Sequence, residues 1–438
     1  LVLYEQVYKQ EFNIGRIKVA LKNIKNKCLK QILSKVATVA LFSAAASLAS
    51  AQDASSKLDA WLMENALGPH ATGQENWESI VAAAKQEGEV SVYTASGRIA
   101  KLVDHFQALY PGITLTVYDL GSVKTIEKTV REQDAGIFTA DVVTTGNSGQ
   151  VIHELLGKHR IFNYVPAHFV DRIPLENREP LLIRVNEAMT FFYNAESNPN
   201  GSPISNVWEL TQEKYRGRVG IKNPMSSGSS LMGLATLVQN PEQMAAAYKR
   251  LMGDDIVLSD GVQDAGYEFV KRMLDNDIVI YKSGSKLADA AGKAGQDDAM
   301  IAMSNMTYIA RNDSKGNVNA IVSDLDPVSR LVYPNFMSIG AHAPNPNAAK
   351  VLIAYLLGNP DLNLDAKLEK PYLEGASFDL LQGLAPYHDA GSVSPRSDVP
   401  LPQGGEIWDE MVGWNVSADF MWEQGPRLRD FWMIHSSQ

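Results

Sequence analysis

Residues 89–120, EVSVYTASGRIAKLVDHFQALYPGITLTVYDL, contain the order of elements that decides the fold. EVSVYT (89–94) and ITLTVYDL (113–120) alternate apolar and polar residues, as strands do. Between them, 96–112 predicts a helix ended by Pro-Gly, with an apolar side formed by Ile99, Leu102, Val103, Phe106 and Leu109. Strand, helix and strand in this order are typical of a parallel α/β sheet.

The same plan extends along the chain. NWESIVAAAKQEG (76–88) and GSVKTIEKTVREQDAG (121–136) predict helices, and ADVVTTG (140–146) predicts a third strand. LLIRVNEAMTFFYN (181–194) is interpreted as two short strands, after which YRGRVGIKNPMSSGSSLMGLATLV (215–238) repeats strand, small-residue turn and helix. Further helices and strands are predicted at 266–277, 285–304, 331–341 and 345–358, and a looser tail with Trp408, Trp414, Trp422 and Trp432 after Pro360.

The N-terminus has the pattern of an export signal. A basic segment with five lysines (22–35) precedes the apolar VATVALFSAAASLASA, which ends in Ala49-Ser50-Ala51. Small residues there suit a signal peptidase, so we expect cleavage between Ala51 and Gln52; the alternative is a buried helix. Residues 1–20, which begin with Leu, are expected to be an upstream translation artefact. Elsewhere no apolar run is long enough to span a membrane.

Charge and cysteine content narrow the function. The single cysteine, Cys28, lies inside the signal, so the exported chain would have no disulfide, thiol chemistry, cysteine-bound metal or lipid anchor. Removing the 8 basic and 2 acidic residues of 1–51 leaves 32 basic and 48 acidic residues, a net charge of −16. Such a surface repels nucleic acid at long range but leaves the sign of a local pocket open.

Four turns rich in small polar residues each follow a strand and open a helix. They contain Ser96, Gly97 and Arg98; Ser122; Asn147 and Ser148; and Ser226, Ser227, Gly228 and Ser229. The first N–H groups of a helix lack partners within it and carry partial positive charge, so these turns could seat an oxyanion. Plain helix capping, worth ~1 kcal/mol per residue, is the competing interpretation of each turn.

Catalytic patterns are weaker. The eight histidines show no HExxH spacing, and neither a GxSxG elbow nor a phosphate-binding P-loop is present. Asp297 and Asp298 are adjacent and usually would point apart, so we interpret them as a solvated turn. No cofactor and no metal are expected.

The ordered set VSVYTASGRIAKLVDHFQALYPGITL, IEKTVREQDAG with ADVVTTG, FFYNAE, YRGRVGIKNPMSSGSS and HAPNPNAAKVLIAYLLG resembles the periplasmic solute-binding proteins of bacterial ABC importers. The resemblance is to the family-1 subset that binds ferric ion, phosphonate, sugar phosphate or polyamine, and it covers about residues 76–358. It implies two α/β lobes of the type II fold joined by crossing strands. Lobe 1 would comprise 77–188 and 313–360; lobe 2 would comprise 189–312 and 361–438 with the C-terminal extension.

The resemblance also implies a ligand cleft between the lobes, which the four turns would line from both sides. Iron-binding members carry adjacent tyrosines where this chain has Met306-Thr307, and the histidine that often follows their first strand is replaced by Ser96-Gly97. Asn305 and Tyr308 could still contact an organic ligand. We therefore expect a small organic oxyanion: a phosphonate, sugar phosphate or carboxylate.

These inferences predict a periplasmic, monomeric binding protein that is not an enzyme and that partners the permease subunits of an ABC importer, with hinge closure on the ligand. Ferric-ion or polyamine binding on the same fold stays open. So does an exported enzyme on a two-lobe scaffold, because fold alone does not settle function.

Overall fold

The computed structural model describes residues 55–362, 372–373 and 375–436. The chain forms two compact units, Leu1–Glu64 and Asn65–Gln438. In the first, residues 55–64 are helical; the predicted signal at 1–51 and its cleavage site lie outside the described residues. No helix within the described ranges combines the length and apolar character that crossing a bilayer requires.

The second unit alternates helices and strands over most of its length. Its helices of seven or more residues are α1 (Trp77–Glu87), α2 (Val103–Leu109), α3 (Ser122–Asp134), α4 (Gly228–Val238), α5 (Pro241–Met252), α6 (Ala265–Asp275), α7 (Gly284–Gly292), α8 (Pro346–Leu356) and α9 (Ala418–Ser436). Short α-helical turns occupy Ser148–Gln150, Leu175–Arg178, Arg311–Lys315, Phe378–Leu381, Ala385–His388 and Ile407–Glu410, and a π-helical segment spans Val151–Leu156.

The strands form one large mixed sheet and a small two-stranded one. They are β1 (Glu89–Thr94), β2 (Thr114–Asp119), β3 (Val142–Thr145), β4 (Ile161–Phe162), β5 (Ile183–Asn194), β6 (Val219–Lys222), β7 (Val279–Tyr281), β8 (Ile301–Asn305), β9 (Asn319–Ile321), β10 (Arg330–Gly340), β11 (Tyr372–Leu373), β12 (Leu401–Pro402) and β13 (Gly413–Asn415). The large sheet has the order β2-β1-β3-β10-β5-β8-β6-β7, and β11 pairs with β12.

Two long strands join two parallel groups of this sheet. On one side β2, β1 and β3 are parallel, and on the other β8, β6 and β7 are parallel. Between them β10 runs antiparallel to β3 and β5, and β5 runs antiparallel to β8. We call the β2-β1-β3 side the first half and the β8-β6-β7 side the second half. This mixed α/β sheet confirms the predicted fold class.

The 181–194 region differs from the prediction of two short strands. It forms the single strand β5 of 12 residues. The strand continues through its polar residues because Arg184 and Glu187 are buried and hydrogen-bonded there. Asn186 also exchanges backbone hydrogen bonds of 2.9 and 3.0 Å with Val393.

The predicted helix over 96–112 begins late: residues Ile99–Leu102 are a 3₁₀ turn, and α2 starts only at Val103. The prediction of a looser tail is wrong for 418–436, which form α9. Pro426 lies inside that helix after Gly425, and both residues normally interrupt helices. Met421, Leu428 and Trp432 nevertheless bury into the core of the second half, which supplies the packing that local propensity lacks.

The end of α1 anchors the start of α8. The Glu87 carboxylate accepts hydrogen bonds from the backbone N–H of Asn347 (3.1 Å) and Ala348 (2.7 Å) and from the Asn347 amide (2.8 Å). These N–H groups belong to the first turn of a helix whose residues are nearly all buried. A carboxylate there satisfies orphan donors and complements the helix dipole.

We expect Glu87→Ala to lower the free energy of unfolding by about 1–3 kcal/mol, because the two N–H groups in the first turn of α8 lose a charged acceptor. Glu87→Gln should lie between, since it keeps an acceptor without the charge. Urea unfolding of the full chain measures both. Glu89→Ala, at an exposed position two residues on, is the control and should change stability by less than about 0.5 kcal/mol; equal losses at both positions would contradict the anchoring role.

Candidate functional site

A cavity of about 580 Å³ lies where the two halves of the sheet meet. Its walls come from the ends of β1 and β6, the long strands β5 and β10, β8, and the turns that open α3, α4 and α7. Nine of the twelve predicted ligand-contacting residues line it: Ser96, Gly97, Arg98, Ser122, Ser226, Ser227, Ser229, Asn305 and Tyr308. The structure therefore brings together residues that are up to 212 positions apart in sequence, from Ser96 to Tyr308.

The residues of the serine-rich turn before α4 make different contacts. The Ser227 hydroxyl caps the helix by accepting from the Ser230 N–H at 3.4 Å and also contacts the Ser229 hydroxyl at 3.1 Å. The Gly228 N–H donates to the Ser122 hydroxyl of the first half at 3.0 Å, and a Cβ at Gly228 would lie 2.9 Å from that oxygen. Gly228 is thus a contact between the halves, while Ser226 and Ser229 face the cavity.

Asn147 and Ser148 lie away from this cavity. Asn147 has left-handed backbone geometry (φ 71°), which turns the chain away after Gly146, and its amide donates to the Gln150 side chain at 2.6 Å. Ser148 is buried with its hydroxyl 3.9 Å from the Met232 sulfur. At this turn Gly146 lines the cavity instead.

Four basic residues that sequence reasoning missed also line the cavity: Lys101, Arg184, Lys222 and Arg311. They were missed because three of them follow or lie in predicted strands and helices, where a charged side chain usually faces solvent. Arg311 is already neutralised by Asp289, with two contacts of 2.6 Å. The other three have no ion pair within the described residues.

Arg184 is the most unusual of these residues. It lies in β5 and is only 2% exposed, although it carries a guanidinium with five N–H donors. Its Nε donates to the Thr144 hydroxyl at 3.1 Å, and its Cζ lies 3.9 Å from the centroid of the Tyr387 ring. Its Nη1 is buried and has no hydrogen-bond partner among the described residues. A buried guanidinium with an open donor beside a cavity favours an anionic guest.

Glu187 is the one carboxylate among the described lining residues, and both of its oxygens already have partners within the protein. Its Oε2 accepts from the side chains of Asn335 (2.8 Å), Asn305 (3.2 Å) and Tyr333 (3.3 Å). Its Oε1 accepts from the Ser392 hydroxyl at 3.1 Å and lies 3.8 Å from Arg98 Nη1. With its oxygens engaged, Glu187 is not poised to bind a cation or to act as a base.

The phenols of the cavity are held neutral. Burial raises the pKa of Tyr308, and burial together with the nearby Glu187 charge raises the pKa of Tyr333 well above its ordinary value. Within the described part of the chain, no group of three or more His, Cys, Asp or Glu side chains could hold a metal ion. The donors available to a guest are therefore hydroxyl, guanidinium and ammonium groups.

Lys222 adds a charge at the end of β6, directly before the serine-rich turn. Burial lowers its pKa, and the Asp119 carboxylate opposes this by favouring the protonated form. Ser285 lines the same wall, and its hydroxyl pairs with that of Ser283 at 2.8 Å. The cavity is thus basic and rich in hydroxyls.

Comparison with known proteins gives the context. Residues 101–369 match the family described as bacterial extracellular solute-binding protein. Among curated protein sequences, none matches this chain significantly.

Solved structures share the fold. Iron-bound HitA from Pseudomonas aeruginosa has a TM-score of 0.57 at 15% identity, covering 78% of this chain and 99% of its own. The ferric binding protein from Campylobacter jejuni has a TM-score of 0.57 at 16% identity (79% and 99% covered). AgtB from A. tumefaciens R10, solved with agropinic acid, has 0.55 at 11% identity (80% and 99% covered). These likenesses confirm the two-lobe binding-protein fold, while the predicted lobe boundaries stay predictions.

We expect Lys222 to lose its proton at lower pH than an ordinary lysine, whose pKa is ~10.4. Asp119→Asn should lower the pKa of Lys222 further, because a charge that favours the protonated form is removed. An NMR pH titration of the lysine Cε and Nζ resonances, assigned with Lys222→Arg, measures this. Lys128, whose pKa is raised by its hydrogen bond to Glu132, is the internal control and should not respond. A Lys222 that titrates at or above the ordinary value would contradict the burial argument.

Proposed function

This chain belongs to the bacterial extracellular solute-binding protein family, and from that membership we propose that it captures a small organic oxyanion for an ABC importer. The guest would be a phosphonate, sugar phosphate or carboxylate held between the two lobes and delivered to membrane permease subunits. The protein would act in the periplasm after export, as a monomer without a lipid anchor, and without turning its ligand over.

One observation carries the choice of ligand. Arg184 is buried beside the cavity, has no carboxylate partner among the described residues and keeps Nη1 open. An uncompensated buried charge is costly, and an anion that pairs with it recovers part of that cost. Lys222 and the hydroxyls of Ser226 and Ser229 supply further donors for the oxygens of the same guest.

The alternatives fit the cavity less well. Ferric ion needs anionic oxygen ligands, but both lining phenols have raised pKa values and Glu187 is engaged by neutral donors. Iron binding by the structural neighbours therefore does not transfer on fold alone. A polyamine would need several free carboxylates, whereas the described lining residues offer Glu187 alone against five basic side chains. An enzyme would need a nucleophile hydrogen-bonded to a base, and among the described lining residues no serine hydroxyl has an observed hydrogen bond to a lysine or carboxylate that also lines the cavity.

The test is a ligand panel with the exported chain purified from the periplasm of an expression host. Methylphosphonate, glycerol 3-phosphate and citrate are compared with ferric ion, putrescine and spermidine by thermal shift and calorimetry. A ligand at 100 times its Kd should stabilise the protein by about 2.7 kcal/mol. We expect stabilisation by at least one oxyanion and by neither of the cationic classes.

Variants then locate the binding. Arg184→Met should weaken oxyanion binding by about 10- to 150-fold, the range for losing a charge-assisted hydrogen bond. Ser226→Ala with Ser229→Ala should weaken it by about 10-fold through two neutral hydrogen bonds. Arg427→Met is the matched control, because Arg427 also lies over a tyrosine ring, Tyr267, at 5.8 Å but outside the cavity. Stabilisation only by ferric ion or polyamine, or oxyanion binding unchanged by Arg184→Met, would refute the proposal.

A further inference from the structure

Part of the C-terminal extension reaches the cavity residues. The family match ends at residue 369, yet Tyr387 and Ser392 contact side chains of β5. Ser392 donates to Glu187, and Val393 pairs with the Asn186 backbone. We call residues 385–396 the extension segment.

The extension segment is firmly attached to the first half. Its last residue, Arg396, is 2% exposed and donates to the backbone oxygens of Leu357 (3.0 Å) and Asn359 (2.9 Å), beyond the end of α8. Two more contacts, of 2.9 and 2.7 Å, join Arg396 to Asp398. Arg396 therefore anchors the C-terminal end of the segment, and Tyr387, which is 1% exposed, is buried behind the cavity wall.

The Tyr387 ring lies against two arginines of the cavity wall. Tyr387 is 1% exposed and does not itself line the cavity. Its ring centroid lies 3.9 Å from Arg184 Cζ and 5.7 Å from Arg98 Cζ. Its hydroxyl has no hydrogen-bond partner among the described residues. The ring face, and not the hydroxyl, is therefore the part of Tyr387 that contacts a functional group.

Two contacts restrain the guanidinium of Arg184. Its Nε donates to the Thr144 hydroxyl, and the Tyr387 ring lies against it, while Nη1 has no hydrogen-bond partner among the described residues. A cation over a buried ring is attracted by the ring quadrupole, and a pre-ordered side chain loses less entropy when a ligand binds.

We propose that Tyr387 is the positioning residue of the binding site: its ring holds the guanidinium of Arg184 in its place in the cavity wall. The effect on affinity rests on the proposed oxyanion function, whereas the effect on Arg184 itself does not. The extension segment is, on this view, a part of the ligand site that the family match does not include.

The first experiment uses the ligand-free full chain. Arginine side-chain NMR, with Arg184 assigned from Arg184→Lys, reports whether rotation about the Nε–Cζ bond is hindered, since a held guanidinium shows separate Nη signals. We expect hindered rotation in the wild type and in Tyr387→Phe, which keeps the ring, and free rotation in Tyr387→Met. Replacing Tyr387 with pentafluorophenylalanine keeps the ring shape but reverses its quadrupole, so it gives the same test if Tyr387→Met does not fold.

The second experiment measures by calorimetry the binding of the oxyanion panel used above: methylphosphonate, glycerol 3-phosphate and citrate. Tyr387→Met should weaken it by about 5- to 30-fold, and Tyr387→Phe by less than about 3-fold, because only the first removes the cation–π contact. Ser392→Ala is the control for general loosening of the extension segment and should leave the Nη signals of Arg184 separate.

The outcomes separate the two ideas. Hindered rotation that survives in Tyr387→Met or in the pentafluoro variant overturns the positioning role, as does free rotation with unchanged oxyanion affinity. If the wild type binds none of the three oxyanions, that arm counts against the proposed function, and the NMR comparison still decides whether Tyr387 positions Arg184.

Discussion

The antiparallel pairing of β5 with β10 is the constraint on which the rest of the structure depends. It joins two parallel groups of strands that would otherwise be separate sheets. Because side chains alternate along a strand, each of these two strands must carry buried residues through the middle of the molecule. Here some of those residues are polar: Arg184 and Glu187 in β5, and Tyr333 and Asn335 in β10.

Glu187 and Arg184 differ in how fully their hydrogen-bonding groups find partners. Glu187 accepts from neutral amides and hydroxyls and has the Arg98 guanidinium 3.8 Å away, so its buried charge is stabilised by the protein. Arg184 has one hydroxyl and one aromatic face, and part of its hydrogen-bonding capacity stays unused. The carboxylate is thus satisfied and the guanidinium is not, although the two lie a few positions apart on one strand, and the proposal of an anionic ligand rests on this difference.

Local and overall charge act at different distances. Residues 52–438 have a net charge of −16, yet the described cavity lining has five basic residues and one engaged carboxylate. At physiological ionic strength the Debye length is about 8 Å, so surface charges are largely screened from a guest inside the cavity. The acidic surface therefore slows the approach of an anion more than it weakens its binding, and it disfavours nucleic acid and anionic lipid surfaces.

Local patterns predicted the fold well because strand alternation and helix caps are short-range signals. Glu89–Thr94 and Asn76 with α1 appear as predicted. Failures came where tertiary packing overrides propensity: the polar centre of β5 continues because its residues find distant partners, and α9 tolerates Gly425 and Pro426 because it packs on the second half.

Only part of the site could be predicted from the sequence, because only part of it is marked by local patterns. Small-residue turns at strand ends are a local signal, and most of them meet at the cavity. A local pattern could not predict Arg184 as a site residue, since its burial and orientation depend on contacts with Thr144, 40 positions before it, and Tyr387, about 200 positions after it.

The serine-rich turn shows how one motif serves several needs. Ser227 caps α4, Gly228 fits against Ser122 because it lacks a side chain, and Ser226 and Ser229 remain for a guest. The N–H of Gly228 is already used to join the halves, so a ligand that reached it would have to displace Ser122. On the proposed function, an oxyanion would therefore meet hydroxyls and cationic side chains more than the amides of this helix end.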